Sequence, residues 1–437
     1  MAKAFNIPDS PHPRVVIVGA GFAGLNLARS LARQDYQVVL IDKNNYHQFQ
    51  PLFYQVAMAG LEPSSILFPL RKMFQRHKNV FVRMAEVMQI EPEKKLLHSN
   101  LGDLRYDYLI IATGADTNWY GNERVREHAI PMKSVSEALF LRNAIFEDYE
   151  RAVTTPDYDV RQQYLDIIIV GGGPTGVEVA GALAEMRAHI IPKDYPDLSA
   201  KEIDIHLIHA EPRLLSAMSE VASKKAEEFL RQLGVQLWLN IAVTDYDGQT
   251  VTLSNGKRLP AGKVIWAAGI SGSIIEGVPP EAITKGRRII VDAYNRVKGL
   301  EELGVFALGD IAFQTEEKYP NGHPQVAQVA IQQAKHLAVN LKNMQKGRPM
   351  RPFAYKDLGS MATIGRHKAV VDLPFWRFQG ALAWFVWMFV HLFALVGVKN
   401  KLFVFVNWVW NYLTYDQSLR LVIKPFLKQK SGKPVEA

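Results

Sequence analysis

The sequence of 437 residues contains no cysteine. This absence excludes disulfides, cysteine ligands for a metal, thiol nucleophiles and dithiol redox couples, and we expect no metal site. Any redox chemistry must therefore pass through a bound cofactor. The range 1–14 also lacks the apolar core of a signal peptide, so a cytoplasmic location is the default expectation.

Acidic residues are scarce in the last part of the chain. The range 366–437 contains ten lysines and arginines but only three aspartates and glutamates, which gives +7 of the total net charge of +8. Because this basic excess accompanies apolar and aromatic residues, it indicates contact with an anionic membrane surface. Nucleic acid is the rival partner, but the sequence carries no nucleic-acid-binding motif and we expect none to bind.

Two glycine motifs of the form G-x-G-x-x-G are the strongest positive signal. They follow short apolar strands at 15–18 and 167–170, and each precedes a helical pattern. Such glycines permit a tight turn, let the backbone approach a pyrophosphate and let helix and strand pack closely. The pair predicts an α/β protein that holds two dinucleotides, against the alternative of two ordinary glycine turns. The motif glycines are Gly19, Gly21, Gly24, Gly171, Gly173 and Gly176.

An acidic residue is expected at the end of the strand after each motif, where it binds a ribose hydroxyl. Asp42 lies 18 residues beyond Gly24 and matches this spacing. Glu211 lies 35 residues beyond Gly176, so an insertion at about 187–198 must lengthen the second crossover.

Three further strands end in small residues or an acid. The ranges 108–114 and 263–269 resemble each other, so the internal repeat extends beyond the glycine loops. The range 304–310 ends in Asp310, at the edge where open α/β sheets bind ligands; the alternative is that Asp310 caps a short helix. The range 47–54 is interrupted by a proline and is predicted as a loop.

Together these motifs resemble the two-dinucleotide-binding flavoproteins of glutathione-reductase type. The lack of cysteine excludes the disulfide reductases and the sulfide:quinone oxidoreductases. Three stretches narrow the resemblance: A-Q-V-A-I-Q at 327–332, G-G-G-P-T-G-V-E ending at Glu178, and the basic, aromatic range 391–412. These stretches are similar to those of the type II NADH:quinone oxidoreductases, which are single-subunit enzymes that pump no protons.

The resemblance implies a fold and a division into domains. The fold class is α/β, with two Rossmann-like dinucleotide-binding domains, the second inserted in the first, and a C-terminal helical membrane-anchoring segment. We expect an FAD-binding domain at 1–130 and 290–360, an NADH-binding domain at 131–289 and the anchoring segment at 361–437. FAD is expected to bind non-covalently, and the implied activity passes electrons from NADH through FAD to a quinone.

The resemblance also implies site residues. Glu178 is expected to relay protons, and Gln328 and Gln332 are expected to orient the quinone. The expected FAD contacts are Gly19, Gly21, Gly24, Asp42, Lys43, Val87, Ala112, Thr113, Asp310 and Ala327. The expected NADH contacts are Gly171, Gly173, Gly176, Glu211 and Gly269.

Simpler structural roles stand beside these assignments. Glu178 could be an ordinary acid in the first turn of a helix, and the two glutamines, four residues apart, could share a solvated helix face. If Glu178 lies away from water, burial should raise its pKa toward working pH, as a proton donor requires. Glu211 favours NADH because a carboxylate repels a 2′-phosphate, although Arg213 could accommodate that phosphate.

The C-terminal part offers two apolar stretches. The range 380–398 carries no formal charge except that of His391 when protonated, and it is just long enough to span a membrane. The range 402–415 is too short to span back. In the second stretch Asn407, Asn411, Thr414 and Ser418 form one polar stripe, an interfacial pattern. We therefore favour an anchor that lies on one side of the membrane, with a true span or a buried helix pair as alternatives.

Two other functions remain open from the sequence. One is a soluble NAD(P)H-dependent flavoprotein reductase that acts on a protein such as ferredoxin. The other is a flavoprotein that senses or scaffolds without turnover. For the favoured function we expect the cytoplasmic face of the inner membrane, a surface with anionic lipids and, as an open question, a homodimer.

Overall fold

A computed structural model describes residues 5–416 and 419–423. Most of the strands are short, and the buried ones are rich in valine, isoleucine and leucine. In chain order the strands are β1 Arg14–Val18, β2 Gln37–Asp42, β3 Tyr46–Gln48, β4 Leu67–Pro69, β5 Val80–Met84, β6 Val87–Glu91, β7 Leu96–Ser99, β8 Gly102–Arg105, β9 Tyr108–Ile111, β10 Ala115–Thr117, β11 Ile130–Pro131, β12 Ile167–Val170, β13 Ile205–His209, β14 Gln236–Leu239, β15 Val243–Tyr246, β16 Thr250–Leu253, β17 Arg258–Pro260, β18 Val264–Trp266, β19 Ile270–Gly272, β20 Ile289–Ile290, β21 Val305–Ala307, β22 Ala312–Phe313, β23 Ser360–Gly365, β24 Lys368–Asp372 and β25 Arg377–Gln379.

The α-helices alternate with these strands and cover the faces of the main sheets. In chain order they are α1 Phe22–Leu31, α2 Phe53–Ala57, α3 Leu70–Phe74, α4 Glu123–His128, α5 Val135–Val153, α6 Tyr158–Leu165, α7 Pro174–His189, α8 Ile191–Asp194, α9 Glu220–Gln232, α10 Ala327–Gln345, α11 Ala381–Ala394 and α12 Val398–Thr414.

The first main sheet is parallel, with strand order β21-β9-β1-β2-β5. Its central strand β1 is apolar and buried after the first residue, as a strand covered on both faces must be. Helix α1 follows β1 directly and packs closely against α10. The predicted order of strand, glycine turn and helix is therefore confirmed at the first motif.

The second main sheet repeats this plan in the order β11-β18-β12-β13-β14, again with parallel pairing. The chain leaves the first sheet after β9, builds the second sheet and returns to the first with β21. Helix α7 has 16 residues, against 10 in α1, and the short helix α8 follows it. These additions account for the predicted lengthening of the second crossover.

The prediction of a loop at 47–54 is wrong. His47 lies in strand β3, which pairs antiparallel with β4, and helix α2 begins at Phe53. The proline lies in a single 3₁₀ turn between them, where its fixed φ is compatible with the first helical positions. Helix α2 is almost completely buried and packs against α5 and α7.

The C-terminal part packs against α7, the helix that follows β12 of the second main sheet. Strands β23, β24 and β25 form a small antiparallel sheet, and β23 lies along α7. The contact is close because Gly181 lacks a side chain: a Cβ there would lie 1.6 Å from the Ile364 carbonyl oxygen. The same packing leads the chain into α11 and α12.

Helices α11 and α12 have 14 and 17 residues, and no helix in the part of the chain that the structure describes is long and apolar enough to cross a membrane. Trp387 and Trp408 point inward and are buried. Asn411, from the predicted polar stripe, donates to the Gly60 carbonyl oxygen (3.2 Å), so at this residue the stripe faces the protein; Ser418 lies outside the described residues. The exposed apolar residues of the two helices are Leu382, Phe385, Phe389, Val390, Phe393, Val398, Leu402, Phe403, Phe405, Val406, Val409, Trp410 and Leu413.

Candidate functional site

The first glycine of each motif makes the same turn against a neighbouring strand. Gly19 has φ +103°, and a Cβ there would lie 2.2 Å from the Ala112 carbonyl oxygen. Gly171 has φ +115°, and a Cβ would lie 2.3 Å from the Ala267 carbonyl oxygen. Both the left-handed φ and the contact exclude a side chain at these positions.

The third glycine of each motif brings the helix onto the turn. A Cβ at Gly24 would lie 1.8 Å from the Gly19 carbonyl oxygen, and one at Gly176 would lie 1.9 Å from that of Gly171. The two loops thus repeat the same backbone geometry to within about a tenth of an ångström at both contacts.

The middle glycine of each motif faces open space. No protein atom lies within 4 Å of a Cβ built on Gly21 or Gly173. Helices α1 and α7 begin directly after these residues and have no side-chain cap. The first N–H groups of α1 are available to an anion, whereas α7 begins with Pro174, which has no N–H, and offers its N–H groups from Thr175 onward. Both loops therefore fit the pyrophosphate of a dinucleotide.

The first loop opens into a cleft of about 430 Å³. Nine of the ten residues predicted to contact FAD line this cleft, and the tenth, Gly24, lies below it in the helix contact. The nine are Gly19, Gly21, Asp42, Lys43, Val87, Ala112, Thr113, Asp310 and Ala327.

Asp42 ends β2 and accepts two backbone hydrogen bonds. Its Oδ2 accepts from the Ala20 N–H (2.6 Å) and its Oδ1 from the Asn44 N–H (2.7 Å). Burial raises the pKa of Asp42, and these two donors act in the opposite direction by stabilising the carboxylate. The neighbouring Lys43 pairs with Glu86 at 3.0 Å on the cleft rim.

Two glutamines that the sequence analysis missed hold the turn that carries Asp310. The Gly309 N–H donates to Gln333 Oε1 (2.8 Å), and Gln325 Nε2 donates to the Asp310 carbonyl oxygen (2.9 Å). Gln333 is 1% exposed. The helical phase of α10 carried a signal for it, because Gln333 shares the buried stripe of Ala330 and Ala334.

Asp310 itself lies in a 3₁₀ turn just after β21. Burial raises the pKa of Asp310, while the positive charges of Lys133 and Arg288 lower it. The N-cap of this turn is Leu308 and strand β22 begins at Ala312, so the alternative that Asp310 caps a short helix is wrong.

The residues that are predicted to contact NADH lie in or near the second loop. Gly269 lies beside the loop, and a Cβ there would lie 2.6 Å from the Tyr120 hydroxyl oxygen, which donates to the Ala268 carbonyl oxygen. Glu211 is half-exposed; burial raises the pKa of Tyr120, and the charge of Glu211 raises it further. Tyr120 and His209 are members of this site that the sequence analysis missed.

The guanidinium of Arg213 is bound to carbonyl oxygens of its own loop. Its Nη1 donates to the Met218 carbonyl oxygen (2.9 Å) and its Nη2 to that of Ser216 (2.7 Å). A guanidinium committed to its own loop in this way offers fewer donors to a 2′-phosphate.

A second cavity, of about 150 Å³, contains Glu178. Burial raises the pKa of Glu178 to about 8, although the Thr363 backbone amide and the Trp387 indole lower it. Glu178 is the fifth residue of α7, and its pKa moves opposite to that of an acid stabilised by a helix N-terminus. We call this cavity the Glu178 pocket; its main lining residues are Tyr54, Gln55, Met58, Glu178, Glu185, Arg366, Trp384, Trp387, Trp408 and Tyr412.

Gln328 and Gln332 lie in the first two turns of α10 and outside the lining of the Glu178 pocket. Gln328 donates to the Gly359 carbonyl oxygen (3.0 Å) and accepts from the Leu358 N–H (2.9 Å). Gln332 donates to the Lys356 carbonyl oxygen (2.8 Å) and accepts from its N–H (3.1 Å). Both amides therefore hold the segment that leads into β23, and their contact with a quinone stays a prediction.

The fold and its paired loops define a class of protein. The family model described as "Pyridine nucleotide-disulphide oxidoreductase" matches residues 13–334, and the one described as "NDH2 C-terminal domain" matches 358–415. Because the chain has no cysteine, it belongs to this class as a nucleotide-binding flavoprotein without disulfide chemistry.

Individual relatives narrow the class to one family. The chain is 37% identical to type II NADH:quinone oxidoreductase NdhA of Mycobacterium tuberculosis, over 90% of this chain and 86% of the relative. It is 35% identical to Ndh of the same organism, over 92% and 88%. The structure of NDH2 from Plasmodium falciparum in complex with NADH superposes with a TM-score of 0.86 at 23% identity, covering 94% of this chain and 100% of that one. The chain belongs to the type II NADH:quinone oxidoreductase family.

Proposed function

We propose that the protein oxidises NADH, holds FAD non-covalently and reduces a quinone without pumping protons. FAD held in the cleft of the first loop would supply the two-electron redox chemistry between NADH and the quinone. The observation that carries this proposal is the pair of loops with one backbone geometry, each with open space at its middle glycine. Two such loops fit two dinucleotides at once.

NADH is the proposed nucleotide because of the charges at the second loop. The carboxylate of Glu211 accepts ribose hydroxyls and repels a 2′-phosphate. Arg213, which could have favoured NADPH, bonds to two carbonyl oxygens of its own loop.

Glu178 is the proposed proton donor. Reduction of a quinone to a quinol consumes two protons together with two electrons. With a pKa of about 8, Glu178 holds a proton at neutral pH and can release it to a nearby oxyanion. The surrounding tryptophans and tyrosines keep water away and suit a flat apolar ring.

Gln328 and Gln332 are proposed to orient the quinone near the start of α10. Ala327, one residue earlier, lines the cleft of the first loop, so this helix end adjoins the proposed flavin site. Each glutamine would exchange one of its bonds to the segment 356–359 for a bond to a quinone oxygen.

The exposed apolar face of α11 and α12 is proposed to lie on the cytoplasmic face of the inner membrane. Phenylalanine, leucine and tryptophan side chains there are about half or more exposed, a pattern typical of a surface that enters the headgroup region. Lys399 and Lys401 flank this face and favour anionic lipids.

The test is the NADH-dependent reduction of a water-soluble quinone by the purified, flavin-loaded protein. We expect multiple turnovers with NADH and a lower kcat/KM with NADPH. Bleaching of the flavin by NADH without quinone turnover would favour a reductase for a protein acceptor, which addition of ferredoxin would reveal. Absence of flavin bleaching would favour a flavoprotein without turnover.

A further inference from the structure

The two dinucleotide units can be aligned by strand register. In the first sheet the last residue of β1 pairs with Ile41, so Asp42 is the next position along β2. In the second sheet the last residue of β12 pairs with Ile208, and the next position along β13 is His209. The structural counterpart of Asp42 is therefore His209, and Glu211 lies two residues beyond it.

The two counterparts make the same hydrogen bond. In the first loop the Ala20 N–H donates to Asp42 Oδ2 (2.6 Å). In the second loop the Gly172 N–H donates to His209 Nδ1 (3.1 Å). Ala20 and Gly172 both follow the first glycine of their motif. The His209 imidazole therefore accepts the N–H bond in the second loop that the Asp42 carboxylate accepts in the first.

This bond defines the state of the imidazole. Since Nδ1 of His209 accepts, a neutral ring carries its hydrogen on Nε2, and burial favours the neutral ring by lowering the pKa of His209. Nε2 lies 3.8 Å from Glu211 Oε2. The ring thus has no acceptor left for a ribose hydroxyl, whereas the Glu211 carboxylate, 55% exposed, has several.

Resting on the proposed oxidation of NADH, we propose that His209 and Glu211 divide two tasks that Asp42 combines in the first site. His209 is a positioning residue that holds the glycine loop, and Glu211, beside its Nε2, accepts the ribose hydroxyls and selects NADH over NADPH. Discrimination between NADH and NADPH then depends on the half-exposed carboxylate of Glu211, which lies two residues beyond the strand-end position of His209. Arg213 donates to two carbonyl oxygens of its own loop.

The experiment measures dissociation constants of NAD⁺ and NADP⁺ by calorimetry with the flavin-loaded full chain. Oxidised nucleotides deliver no hydride, so this measurement does not depend on quinone turnover. Loss of one charged hydrogen-bond acceptor should lower the NADP⁺/NAD⁺ ratio of dissociation constants about tenfold in Glu211→Gln. In a His209→Asp background, which returns a carboxylate to the strand end, Glu211→Gln should change that ratio less than about twofold.

The positioning role has its own variants. His209→Ala should weaken NAD⁺ and NADP⁺ alike by about tenfold, and His209→Asn should recover most of this because its Oδ1 can accept from the Gly172 N–H. His206→Gln is the matched control on the same strand, where Nδ1 accepts from Trp238 Nε1 (3.1 Å). It should leave both constants unchanged.

Several outcomes would overturn the proposal. A ratio in Glu211→Gln that stays within about twofold of the native value contradicts the division of tasks, and so does an equal reduction of the ratio by Glu211→Gln in the His209→Asp background. Failure of the native protein to bind either nucleotide would refute this inference and the proposed function together. Normal nucleotide selection without quinone turnover would refute the proposed function alone.

Discussion

The cleft of the first loop and the Glu178 pocket lie in one molecule but are built on opposite principles. The cleft is lined by glycines, alanines and polar residues, and its acid Asp42 accepts two short hydrogen bonds from N–H groups. The Glu178 pocket is formed by aromatic side chains from α2, α11 and α12. Burial raises the pKa of both acids, and it raises that of Glu178 to about 8. One region is suited to hold an anion, and the other to hold a proton.

This difference follows from where hydrogen-bond donors are available. Helix α1 begins beside Gly21 and leaves its first N–H groups open to the cleft. Glu178 lies one turn inside α7, where the backbone N–H groups are already used by the helix. Two N–H donors therefore act against the effect of burial at Asp42, whereas burial leaves Glu178 protonated at neutral pH.

The largest expected effect is a loss of FAD binding in the cleft by a substitution that leaves the Glu178 pocket unchanged. Gly21→Leu fills space that contains no protein atom within 4 Å, so the chain should fold while its FAD affinity falls by about 100-fold. Flavin absorbance relative to protein absorbance after purification measures this. Gly173→Leu is the matched control at the second loop and should retain flavin but bind NAD⁺ poorly; loss of flavin from both variants would contradict the assignment of the loops.

The next effect is a loss of quinone reduction by a substitution in the Glu178 pocket that leaves the cleft unchanged. Glu178→Gln should lower kcat for quinone reduction by about 100-fold while flavin reduction by NADH keeps its rate. In the native protein, quinone reduction should decline as pH rises through about 8, because Glu178 then loses its proton. Stopped-flow rates from pH 6 to 9 test both points, and a variant that retained the native pH profile would remove Glu178 from the mechanism.

Glu178→Gln is also expected to change the pH dependence of thermal stability. Because the folded pKa of Glu178 lies above its unfolded value, the native state holds the extra proton between about pH 4.5 and 8, and stability falls as pH rises across this window. Glu178→Gln lacks that loss, so its Tm should exceed the native Tm by at least about 2 °C at pH 8. An equal or lower Tm at pH 8 would mean that the carboxylate is better solvated than its position indicates.

A smaller effect is expected on the outer side of the pocket. Phe389 and Phe393 are more than half exposed on α11, and their ring centroids lie 4.4 Å apart. The double change to serine should weaken binding to vesicles containing anionic lipid by about tenfold, because both rings lose apolar contact. Phe140→Ser, equally exposed on α5, is the control; an equal loss there would place the membrane contact elsewhere.

The smallest effect sharpens the account of the cleft. Gln333→Ala removes the acceptor of the Gly309 N–H and should lower FAD affinity about fivefold through the Asp310 turn. Gln345→Ala, at the other end of α10, removes only a surface bond to the Asp35 carbonyl oxygen and should have no effect. Fluorescence titration of flavin-stripped protein distinguishes the two, and equal affinities would contradict a positioning role for Gln333.

Local patterns allowed the cleft to be predicted but not the pocket. Strand β1, the turn at Gly19 and the start of α1 follow from neighbouring residues, so the sequence could show them. The environment of Glu178 depends on Trp387, which is 209 residues away and reaches it through tertiary packing alone. The family resemblance supplied Glu178 where spacing could not.

His209 shows a different limit of sequence patterns. A search for an acid after the second motif selects Glu211, because no carboxylate stands at the strand end itself. Only the pairing of β12 with β13 shows which residue occupies that position. The loop predicted at 47–54 failed for a similar reason: β3 exists because β4, about 20 residues later, pairs with it.

One continuous segment contacts the polar groups assigned to quinone chemistry in order. Gln332 bonds to residue 356, Gln328 to residues 358 and 359, and Glu178 faces Thr363. Farther along the segment, Glu185 of the pocket lining accepts from the Arg366 N–H. A strand turns alternate residues to opposite faces, so deletion of one residue within 359–363 would reverse the side that faces α7. The number of residues in this stretch is therefore under tighter constraint than their identity, and length variants in related chains should be rarer here than substitutions.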